Sequence, residues 1–78
     1  MAIPTPDETL DLSGVPCPAN TARALLKLEL MDEGEVLAIV VDDGEPIANV
    51  PPALAAEGHT ILAQQPDGAR WCVLVRRN

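Results

Sequence analysis

Apolar residues recur along this chain at two periods, and the switch between them lays out the elements. Thr9-Leu10-Asp11-Leu12 alternates polar and apolar positions and stops at Ser13-Gly14, a turn pair, so it predicts a short first strand. From Ala19 to Met31 the period becomes helical: Thr21, Ala24, Leu25 and Leu28 fall at i, i+3, i+4 and i+7, and Met31 extends the stripe. The segment is built of good helix formers, and Pro18 stands at the first helical position, where its missing N–H costs nothing. Ala22, Leu26 and Leu30 make a second row on the flank. Two readings of that row stay open: a wide, buried helix face, or exposed leucines suited to docking of another protein.

Gly34 ends the next turn, and the β-branched run from Glu35 to Val41, bounded by Asp42-Asp43-Gly44, predicts a central strand. Asn49 is placed to cap a short helix starting at Val50, with Pro51 and Pro52 in its first turn and Gly58 as its stop. An irregular turn over 45–48 precedes that helix and can merge with it. His59 to Gln65 and Arg70 to Arg76 read as third and fourth strands, joined by the turn chemistry of Pro66-Asp67-Gly68. The order β-α-β-α-β-β predicts an α+β two-layer sandwich, a four-stranded mixed sheet with two helices on one face. Residues 1–8, with two prolines, read as a flexible tail, and residues 9–78 as a single domain.

Composition narrows this further. With 78 residues there is room for one small core, and without Phe or Tyr, and with Trp71 as the sole aromatic residue, Leu, Val, Ile and Ala must fill it. A net charge of −7 carried with only five basic residues argues against a nucleic-acid or anionic-membrane surface. Arg70, Arg76 and Arg77 cluster in sequence near the C-terminus as a conceivable anion- or partner-facing edge, ordinary solvated charges being the simpler reading. The N-terminus has neither a basic flank nor an apolar stretch, and no run is long enough to span a bilayer, so a cytoplasmic protein with reduced thiols is expected. Two cysteines and one histidine give no zinc-ligand spacing, and no cofactor or metal is expected.

The candidate chemistry centres on Cys17, in Val15-Pro16-Cys17-Pro18-Ala19-Asn20, between the first strand and the first helix. A thiol at a helix N-terminus meets unpaired backbone N–H groups and the positive end of the macrodipole, which favour the ionised form, and the flanking prolines hold it with little freedom. Pro18, Ala19 and Asn20 are thereby the residues expected to support a thiolate. The bland alternative is a buried, inert cysteine. Cys72, between Trp71 and Val73 in an apolar strand, reads as structural, and Trp71 as packing for one sheet face. His59 reads as a corner residue with a local hydrogen bond, and Asp42 and Asp43 as loop or capping acceptors.

Taken together, Leu10-Asp11, Gly14, Cys17-Pro18, Gly34-Glu35, Asp42-Asp43, Val50-Pro51, Gly58-His59, Asp67-Gly68 and Leu74-Val75-Arg76 resemble the landmarks of the TusA/SirA-like sulfur-carrier family, over roughly Leu10 to Arg77. One position departs: the family's Cys-Pro-x-Pro becomes Cys17-Pro18-Ala19-Asn20, which restores an N–H at Asn20. The family's basic residues on the first helix are also thinner, Leu25 and Leu26 standing among Arg23 and Lys27. The resemblance implies a carrier that relays persulfide sulfur through Cys17 between a protein donor and a protein acceptor, as a monomer or weak oligomer. The rival readings are a non-catalytic interaction or regulatory module that kept the fold while its motif drifted, and a selenium-related carrier using the same thiolate.

Overall fold

The computed structural model describes residues 5–78. Its elements run β1 (Glu8–Asp11), α1 (Ala19–Glu29), β2 (Val36–Asp42), α2 (Glu45–Ala56), β3 (Thr60–Asp67) and β4 (Arg70–Arg76). The four strands lie in the order β1-β2-β4-β3; β1 is parallel to β2, and the other two pairings are antiparallel. The strand most continuously apolar in sequence, β2, takes an inner position, because only there are both of its faces shielded. This is the α+β two-layer sandwich that the element order predicts, with both helices on one face.

Register divides the side chains between the two faces. Leu37 opposite Val75, Ile39 opposite Val73 and Val41 opposite Trp71 lie on the helix side, where Ala24 and Leu28 from α1, Met31 just beyond its end, and Val50 and Leu54 from α2 close the main core. Ala38 opposite Leu74 and Val40 opposite Cys72 lie on the other side, where Val36, Ala38 and Leu74 form a smaller cluster with Leu62, Ala63 and Cys72. Cys72 is therefore a packing residue of the face turned away from the helices.

Several boundaries differ from the sequence expectation. Of the tail expected over residues 1–8, residues 1–4 lie outside the described residues, while Asp7 exchanges bonds with Val36 and Glu8 already belongs to β1. Helix α2 starts at Glu45 rather than Val50, with Gly44 as its cap residue at φ +94°, and Asn49 is an exposed helical residue, not a cap. Pro51 and Pro52 thus sit inside the helix, each removing an internal donor at a cost of about 3 kcal/mol in an isolated helix. Burial of Val50, Pro51 and Leu54 against the sheet offsets that loss. At the far end Gly58 does stop the helix: at φ +98° it donates to the Ala55 carbonyl while His59 N donates to Leu54 O, the paired bonds of a Schellman cap.

Strand β3 runs on through Pro66 to Asp67, so the turn is Gly68-Ala69; proline is tolerated because β3 is an edge strand. The arginines make no common edge. Arg70 and Arg76 stand at opposite ends of β4, and Arg77 Nε donates to Leu28 O at 2.6 Å, placing a cation at the C-terminal end of α1.

Candidate functional site

Cys17 lies in the connection that leaves β1 and enters α1, and its side chain is exposed. That connection is pinned at several points. Asp11 Oδ1 accepts from both N and Oγ of Ser13, at 2.9 and 2.6 Å, forming a local turn at the end of β1. These bonds hold the Asp11 carboxyl below its ordinary value, with desolvation opposing and Arg70 adding a smaller favourable attraction. Gly14, at φ +77°, donates its N–H to Asp42 Oδ2 at 2.7 Å, tying the loop to the end of β2. Leu12 beside them is fully buried and anchors the chain in the core.

Helix α1 begins differently from the expectation. Pro18 is the cap residue and Ala19 the first helical one, and the Cys17–Pro18 peptide is cis. The Asn20 N–H donates to Pro16 O at 3.1 Å, and Thr21 N–H donates to Asn20 Oδ1 at 2.7 Å. Pro18 has no N–H. Of the donors a helix start leaves free, only that of Ala19 is thus not committed to these bonds. The expected array of bare backbone amides facing the sulfur is largely consumed by the chain itself.

The sulfur has another donor. Asn20 is fully buried, the one buried polar residue among the described residues, in line with Ala24 and Leu28 on the inner stripe of α1. Its Nδ2 donates to Cys17 Sγ at 3.2 Å. The amide orientation follows from its other end: Thr21 N–H and, at 3.4 Å, Thr21 Oγ1 face Oδ1, and an N–H requires an acceptor there, so the NH2 group must face sulfur. Sequence reasoning picked out Asn20 for its backbone N–H; the side chain makes the contact. The spacing 20, 24, 28 carried the available signal, since it places Asn20 on the buried row.

This frame, with a cysteine opening the first of two helices on a mixed four-stranded sheet, is matched along nearly its whole length by the family model for sulfurtransferase TusA, which covers residues 8–77. The chain belongs to the TusA family. Among its relatives is a candidate sulfur carrier protein of Archaeoglobus fulgidus, 33% identical over 72 residues, covering 91% of this chain and 82% of the relative. The candidate sulfur carrier YedF of Escherichia coli is also 33% identical over 72 residues, covering 92% and 94%. In structure, the SirA-like protein of Desulfitobacterium hafniense superposes with a TM-score of 0.74 at 26% identity, covering 88% of this chain and 95% of that one. A Helicobacter pylori protein shares the fold at 22% identity, with a TM-score of 0.72.

The remaining candidates resolve into structural parts of this TusA fold. Trp71 packs on the helix-side core and donates Nε1–H to Asp43 Oδ1 at 3.0 Å, so Asp42 and Asp43 are both loop acceptors. His59 Nδ1 accepts from Asn78 N at 3.3 Å. Leu26 and Leu30 are 59% and 76% exposed, which decides for an open flank on α1. Among the described residues no group of three or more His, Cys, Asp or Glu is arranged to hold a metal, and no helix is long and apolar enough to cross a membrane.

Proposed function

We propose that this protein carries sulfane sulfur as a persulfide on Cys17, taking it from a protein donor and passing it to a protein acceptor in a reducing cytoplasm. The observation that carries the reading is the exposed Cys17 thiol at the entry to α1, within hydrogen-bonding distance of a buried amide donor. A thiolate attacks the outer sulfur of a donor persulfide; the donor's S–S bond breaks, the donor cysteine leaves as thiolate, and a new S–S bond forms on Cys17. Delivery repeats the exchange toward the acceptor, with no net oxidation. An exposed sulfur serves both partners, and the names of the relatives agree with such a role.

The test is direct. Incubated with a persulfide donor and weighed, the protein gains the mass of one sulfur; Cys17→Ser removes the gain and Cys72→Ser keeps it. Absence of any gain in the wild type, across several donors, would return the chain to the rival reading of an interaction module.

A further inference from the structure

We infer that the Asn20 side chain selects which sulfur of the Cys17 persulfide carries the charge when the cargo leaves, and so keeps delivery ahead of a wasteful side reaction. The inference rests on the carrier reading for its consequence, but not for its geometry. A persulfide on Cys17 has an inner sulfur, Sγ, and an outer one. An acceptor thiolate attacking the outer sulfur breaks the S–S bond with its electron pair going to Sγ; Cys17 is restored as thiolate and the acceptor holds the persulfide. Attack on Sγ breaks the same bond toward the outer sulfur, which leaves as hydrosulfide, and Cys17 is left in a mixed disulfide with the acceptor. Both routes balance in atoms and electrons; only the first transfers the cargo.

The Asn20 amide donates to Sγ, at 3.2 Å. A donor at that position strengthens as negative charge collects on Sγ, which happens only along the delivery route. It is also held ready: the residue is fully buried, and its Oδ1 is fixed by Thr21 N–H at 2.7 Å, so the amide does not have to reorganise during transfer. A proline at this position, as in the family pattern, carries no side-chain donor. Where the Cys-Pro-x-Pro pattern has its second proline, Asn20 thus brings the sulfur a side-chain donor.

The experiment loads the protein, in a Cys72→Ser background, with inorganic polysulfide, adds N-acetylcysteine for a single turnover, and weighs the protein. In the parent the product is unmodified protein. In Asn20→Ala and in the isosteric Asn20→Asp, the ratio of unmodified protein to mixed disulfide falls about tenfold, the size of one charge-assisted hydrogen bond. An unchanged ratio in folded variants overturns the inference. Because Asn20 is buried and either variant can lose its fold, the parent supplies a second measurement: on capping Cys17 with iodoacetamide, the Asn20 side-chain NH2 resonances shift in the NMR spectrum, and unmoved resonances overturn the contact itself. A wild type that takes up no sulfur ends the carrier reading, while the NMR result still decides the contact.

Discussion

Asp42 ends β2 with both carboxylate oxygens engaged: Oδ2 accepts the Gly14 N–H at 2.7 Å, and Oδ1 lies 3.8 Å from Arg70 Nε. The ion pair is largely solvent-exposed and contributes little, whereas the Gly14 bond joins the loop carrying Cys17 to the sheet. Asp42→Ala is expected to cost about 1 kcal/mol, and amide exchange at Gly14 accelerates while that in β4 barely changes. Asp11 adds a pH dependence. Its folded carboxyl titrates below the ordinary value of 3.8, so its contribution is complete above that pH and fades as the pH falls through the lower folded value. Urea midpoints of the wild type and Asp11→Ala should differ at neutral pH and converge in acid; a gap that widens on acidification would refute the assignment.

Helix α1 shows how much of an element can be read in advance. Its inner stripe was legible because Ala24 and Leu28 repeat at helical spacing and both are buried, while Met31, read as extending the stripe, is buried just past the helix end at Glu29. The start of α2 was not, because three prolines among Glu45–Ala56 depress helical propensity and only burial on the sheet holds the segment helical. Cys17 itself was visible in the motif, but the Asn20 contact depends on how Pro16 to Pro18 steer the backbone, which no local pattern encodes. Leu28→Ala should cost about 2–5 kcal/mol in denaturant unfolding, since the side chain is fully buried. The double change Leu26→Ser, Leu30→Ser should alter stability by no more than about 1 kcal/mol and leave loading by inorganic polysulfide unaffected, because both side chains are exposed.

At the scale of the whole molecule, the C-terminal strand closes the structure from both sides. Arg77 exchanges backbone bonds with Glu35 and Gly34 and reaches across to the Leu28 carbonyl, so the last residues tie β2 to the end of α1. Removing residues 77–78 should lower the melting temperature and speed exchange in the last turn of α1 before it affects the first; uniform loosening would contradict this account. The two-layer architecture, a mixed four-stranded sheet with two helices on one face, followed from the element order, whereas the strand order β1-β2-β4-β3 came only with the coordinates.

The two thiols lie on opposite sides of the sheet, Cys17 at the entry to a helix and Cys72 among Val36, Ala38 and Leu74. Cys72, packed in that cluster, is therefore not placed to close an internal disulfide with Cys17. On the carrier reading proposed above, handing the cargo on therefore calls for a thiol from another molecule.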